Sequence, residues 1–142
     1  MNQERVSQYG RVVFAAGASV PLGASAIVHT WGRNDMTLSQ RMGFRWLVYA
    51  PYVGAKPPPT VNYTDWTMFG VAPGDVEERM TPRFDLNQPG EWTVLMELLM
   101  NPGDPVVVDT YEGLLCVVEG WAGTITKKEL EYDGTRGAIP VY

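Results

Sequence analysis

His29, in "IVHTW", and Cys116, in "GLLCVV", are the only histidine and the only cysteine of this chain. Any Ser-His-Asp or Cys-His mechanism has to use His29, because an imidazole is what takes the proton from such a nucleophile. With no partner in its own stretch, His29 reads as a half-buried sheet histidine. A reactive thiol needs an electropositive, partly exposed setting. Cys116 stands in an apolar run and reads as a small buried core residue. One histidine and one cysteine cannot fill a four-ligand zinc site without carboxylates. Calcium takes loop oxygens. Asp75, Glu77, Glu78 and Asp85 are close in sequence, and Asp104 and Asp109 flank a turn, but none matches a calcium-loop spacing. They read as a solvated acidic face. Glycoside hydrolysis needs two carboxylates across one cleft, and a small domain without large insertions offers little cleft. Neither common phosphate-loop motif, GxGxxG or GxxxxGK[ST], is present. The expectation is a chain with no catalytic residue, no metal and no cofactor.

Aromatic side chains are the better candidates for recognition. Tyr49, Tyr52, Tyr63, Trp66 and Phe69 surround the prolines Pro57, Pro58 and Pro59. Exposed, they would offer a flat apolar platform to a sugar ring, a peptide or another subunit. Buried, they would pack the proline loop onto a sheet. Tyr52, Tyr63, Trp66 and Phe69 are the candidate binding residues.

The elements that must position these groups read as strands. "GRVVFAA", residues 10–16, is a short apolar run, and "VPLG" is a turn. "ASAIVHTW" alternates, with Ile27, His29 and Trp31 on one face. "MTLSQRMGF" reads as a loop or a helical turn. "FRWLVYAP" is a strand with Phe44, Trp46 and Val48 on one face, stopped at Pro51. Consecutive prolines exclude a sheet interior for residues 57–59. "TDWTMFGVAPGD" reads as a short strand and a turn at Pro73-Gly74, and "EERMTPRFDL" as another strand. "EWTVLMELLM" has helix-favouring Leu, Met and Glu, but its flanks, "PG" and "NPGDP", favour a strand. Both its faces are apolar: Trp92, Val94, Met96 and Leu98 on one, Leu95 and Leu99 on the other. "VVVDTYEGLLCVVEG" is a further strand, with Gly113 as a bulge position.

The 142 residues suit one domain, with 45% hydrophobic and 19% charged residues, so a packed core is expected rather than disorder. A net charge of −5 weighs against nucleic acid and anionic membrane surfaces, which need clustered Lys and Arg. A lone cysteine excludes an intramolecular disulfide. The first residues, "MNQERVSQYG", are polar where a signal peptide needs an apolar run, and no window has the roughly 18 apolar residues of a membrane helix. The expected setting is a soluble protein with no visible signal peptide and no membrane insertion, in a virion or an extracellular assembly.

Seven or eight strands, turn signals and no long helix are the pattern of an antiparallel sandwich. The order resembles an immunoglobulin-like sandwich of the bacterial and phage adhesion or structural kind. Many such folds bury a tryptophan in the third strand, a place Trp46 of "GFRWLVYA" would fill. Many open the penultimate strand with Pro-Gly-x-aromatic-x-Val, which "PGEWTV", Pro89 to Val94, matches with Trp92. The resemblance covers residues 10–120. It implies an all-β, antiparallel immunoglobulin-like β-sandwich over residues 1–122, with a C-terminal extension over residues 123–142.

The reading for function is a non-enzymatic structural or assembly subunit of a virion, tail or surface appendage. Its expected partners are other protein subunits, as a homo-oligomer. The rivals are a carbohydrate-binding module, with a glycan on Tyr52, Tyr63 and Trp66, and a small enzyme using His29. The extension carries the sharpest expectation. "TITKKELEY" alternates like an edge strand, Asp133-Gly134 breaks it, and "AIPVY" is apolar. Ile139, Val141 and Tyr142 are the expected interface residues, docking on a neighbouring subunit, the alternative being that the tail folds back on its own sandwich.

Overall fold

The computed structural model describes residues 19–140. The segment 10–16, and Val141 and Tyr142, lie outside the described residues. Every regular element described is a strand. They are β1 (Ser19–Val20), β2 (Ser25–Ala26), β3 (His29–Arg33), β4 (Met42–Tyr49), β5 (Val61–Trp66), β6 (Val76–Met80), β7 (Phe84–Asp85), β8 (Gly90–Met100), β9 (Val106–Val118), β10 (Glu129–Tyr132) and β11 (Thr135–Ala138).

Five strands form the main sheet in the order β1-β9-β8-β4-β5. β1 joins β9 in parallel over two residues, and the other neighbours are antiparallel. β8 is the central strand and β4 stands beside it, so both are largely apolar. Phe44 faces Leu98, Trp46 faces Met96 and Val48 faces Val94 across the ladder. Trp46 and Trp92 are wholly buried, with Phe44, Val48 and Val94 almost so. The strand reading of "EWTVLMELLM" therefore holds, and its helix-favouring residues yield to cross-strand packing.

β2, β3, β6 and β7 make a two-stranded ribbon over the Trp46 face. β3 pairs with β6, from His29 opposite Met80 to Arg33 opposite Val76. β2 pairs with β7. Thr81 bridges the gap between the two ladders: its amide donates to the Val28 carbonyl, and its hydroxyl accepts from the Val28 amide, each at 3.0 Å. Phe84 of β7 tilts against Trp92, and the ribbon residues Val28, Phe84 and Leu86 share one apolar core with the sheet. Gly32 allows this close approach. A Cβ there would stand 2.9 Å from Leu98 Cδ1 and 3.0 Å from Phe44 Cζ.

Of the segment "MTLSQRMGF", residues 36–41 form a loop with one bridge, Gln40 to Val71, and residues 42–44 already belong to β4. Asn34 secures it from within. Fully buried, Asn34 donates to the carbonyls of Leu38 and Val71 and accepts from the Met36 amide. That satisfies most of its hydrogen-bonding capacity, which is what permits a buried amide.

Several details differ from the sequence reading. "EERMTPRFDL" is two strands, β6 and β7, in separate ladders, with Thr81 between them. Gly113 pairs regularly with Val94, and the register slips instead fall between Trp92 and Thr93 and between Leu98 and Leu99. The unopposed residues of β9 are thus Leu115 and Val108. Gly113 is small for another reason: the Tyr111 hydroxyl would lie 2.9 Å from a Cβ there. In the extension, the strand begins at Glu129, so Thr124–Lys128 are not part of it. Asp133-Gly134 does not break the strand into a tail. It turns it back as a hairpin, β10 with β11.

Candidate interaction surface

His29 lies on the outward side of the ribbon, half-buried, with Nδ1 2.9 Å from Glu78 Oε2 and its ring stacked on Trp31. An imidazole oriented by a carboxylate is what a general base requires. The chain's one thiol is not beside it: Cys116 pairs with Trp92 on the core face of the sheet. Burial pushes the Cys116 thiol above its ordinary value, the opposite of an activated nucleophile. Among the described residues, no three His, Cys, Asp or Glu side chains converge as a metal site.

The four aromatic candidates do not share one surface. Tyr63 faces Trp46 in the ladder and stacks on it from the core side. Trp66, three residues on, projects from the opposite face and covers Gly43. Tyr52 tilts against Tyr49 and is partly exposed, and Phe69 is exposed in a separate loop. Lys56 lies 4.5 Å over the Tyr49 ring, so the proline loop is held to the outer face of the sheet.

Unpartnered apolar surface lies elsewhere. Every described residue from Glu119 onward is exposed. In this arm Trp121 is 86% exposed, Ile125 80%, Leu130 60% and Tyr132 62%, and Ile139 is exposed too. β10 and β11 pair with each other and with no other strand described. Large apolar groups presented this way are a mark of an interaction site. The sequence pointed to the extension and to Ile139, but not to Trp121 or Tyr132.

A second such surface borders β9. Beyond its two residues of pairing with β1, β9 has one open edge among the described residues, and Val106, Val107 and Val108 at its start are all exposed. Beside this edge the ribbon and the sheet part. Two adjoining hollows of about 330 and 370 Å³ open there, both lined by Trp31, Leu98 and Asp109. Phe44, Met96 and Tyr111 line the first. The bulge after Leu98 puts the unopposed Val108 into the second. The signal was in the sequence as "VVVD", three β-branched residues directly after a turn.

Among the described residues, no helix is long and apolar enough to cross a membrane. No protein-family model and no curated protein sequence matches the chain.

Proposed function

We propose that the chain is a non-enzymatic assembly subunit, an immunoglobulin-like sandwich body that joins neighbouring subunits through its C-terminal arm. The observation that carries this reading is the arm itself. Four large apolar side chains, Trp121, Ile125, Leu130 and Tyr132, stand in solvent on a segment with no strand partner in the described body. Each would gain about 1.5–3 kcal/mol on full burial, which is the driving force for association. The setting that fits such a subunit is a repeating structure such as a virion, tail or surface appendage. The glycan reading has less support, because Tyr63 and Trp66 point to opposite faces of the sheet.

The test is the molar mass of the full chain by light scattering across a wide concentration range. The wild type is expected to self-associate. A variant with Trp121→Ser, Ile125→Ser, Leu130→Ser and Tyr132→Ser is expected to be a folded monomer. A wild type that is monomeric at every concentration overturns the proposal.

A further inference from the structure

Where the arm binds can be inferred from the body. We propose that residues Trp121–Lys128 of one copy dock along the open edge of β9 in a second copy, at Val106–Thr110, with Trp121 and Ile125 entering the hollows beside Trp31. This inference rests on the assembly reading above.

The receiving surface has what an added strand needs. An open edge supplies main-chain donors and acceptors, and pockets beside it select side chains. Here the edge is flanked by two hollows with a common wall of Trp31 and Leu98. The incoming segment, "WAGTITKK", matches it. It lies between β9 and β10 in neither helix nor strand. If extended, it puts Trp121 and Ile125 on one side, about 13 Å apart. Those are the most exposed apolar residues of the arm.

Charge favours the same match. The three basic and three acidic residues after Gly120 cancel, so residues 1–120 hold the whole −5 and two bodies repel. Within the arm, Trp121–Lys128 carries two lysines and no acid. In the groove, the Asp109 carboxylate accepts from the Thr110 amide and forms no ion pair among the described residues, since Arg33 in the same hollow is paired with Asp35. Asp109 pairs with Leu98 in the ladder, which places it on the groove side of the sheet. Lys128 would supply its counter-charge, since Lys127 already stands 2.7 Å from Glu129 Oε1.

Chain reach excludes the same copy as the source of Trp121. Trp121 follows Val118 by three residues, so it lies within about 11 Å of the end of β9. Val108 stands ten residues back along that strand, about 33 Å away. Arm and groove are therefore different patches at opposite ends of one strand. Contact between them closes as a reciprocal two-fold dimer or a larger ring, or runs on as a filament.

The experiment uses full-length chains in a Cys116→Ala background, one carrying Val108→Cys and the other Ile125→Cys. Mixed and mildly oxidised, they are expected to form the mixed disulfide dimer at least tenfold faster than either forms a homodimer. Asp109→Lys is expected to weaken self-association at least tenfold, and adding Lys128→Asp is expected to restore it. If the serine arm variant is monomeric while the mixed disulfide does not form and Asp109→Lys changes nothing, the arm assembles elsewhere and this inference is wrong. A Val108→Cys, Ile125→Cys double variant that closes its disulfide within a monomer also overturns it. If the wild type never associates, the assembly reading falls as well.

Discussion

The indole Nε1 of Trp46, on β4 of the main sheet, donates to Thr30 Oγ1 of the ribbon at 2.9 Å. This bond joins the two layers beside the first hollow, with Trp46 fully buried and Thr30 half-buried. The Thr30 hydroxyl in turn donates to the Met96 sulfur at 3.3 Å. Thr30→Val keeps the shape and removes the acceptor, leaving a buried indole N–H without a partner. That should cost about 1–3 kcal/mol. Thr30→Ser keeps the hydroxyl and should cost less. Urea melts of both variants check the order, and a Thr30→Val as stable as wild type would mean that the bond contributes nothing.

Trp92 anchors the other end of the core. Its Nε1 donates to the Gln88 carbonyl at 2.9 Å, and its ring meets Phe84 of the ribbon. Truncation of Trp46 or Trp92 to Ala should each cost about 3–5 kcal/mol, since both rings are wholly buried. A loss below about 1 kcal/mol for both, measured by denaturant unfolding, would contradict this account of the core.

These anchors were legible in the sequence, because alternation over 44–48 and 92–98 assigns faces without any knowledge of partners. The ribbon was not. His29 and Met80 are distant in sequence, and no local signal says that these strands pair with each other rather than with the main sheet. Asn34 carries no local sign of burial, because its burial depends on Val71, 37 residues away. The separation of Tyr63 from Trp66 could have been read, since an odd spacing within one strand sends two side chains to opposite faces. The groove beside Trp31 arises where two layers diverge, and that is a property of the assembled fold.

Gly43 and Trp66 form a matched pair on the outer face. A Cβ at residue 43 would stand 2.6 Å from Trp66 Cε2, with more of the indole within 2.8 Å. Gly43→Ala should therefore destabilise by roughly 1–3 kcal/mol, as overpacking does. In a Trp66→Ala background the same change should cost much less, because the obstructing ring is gone. The double-mutant cycle measures this coupling, and strict additivity of the two losses would show that Trp66 does not constrain residue 43.

Cys116 should resist alkylation in the native state at neutral pH, with full labelling on unfolding. Burial raises its pKa, so the neutral thiol is the form the fold favours. The stability linked to that preference is complete below the unfolded-state pKa and is lost as pH rises through the higher folded-state value. Stability should therefore fall at alkaline rather than acid pH on account of this group, and Cys116→Ala should flatten that part of the pH profile. Rapid native labelling at neutral pH would contradict the buried placement.

The hairpin of the arm depends on one turn. Tyr132 pairs with Thr135 across Asp133 and Gly134, whose φ values are +48° and +76°. Two positive φ values in a two-residue loop make the turn that matches strand twist, and Asp-Gly is among its preferred sequences. A β-branched residue at position 134 is strained in that conformation, by roughly 1–3 kcal/mol. An isolated two-stranded hairpin is marginal in water, so this is enough to open it. Gly134→Val should therefore raise amide exchange across Glu129–Ala138 while leaving the melting temperature of the body unchanged, because β10 and β11 pair with no other strand described. If docking of the arm requires a formed hairpin behind Trp121–Lys128, the same variant will weaken self-association. Unchanged association with a melted hairpin would place the binding energy in residues 121–128 alone. A lowered melting temperature would instead show that the hairpin supports the body.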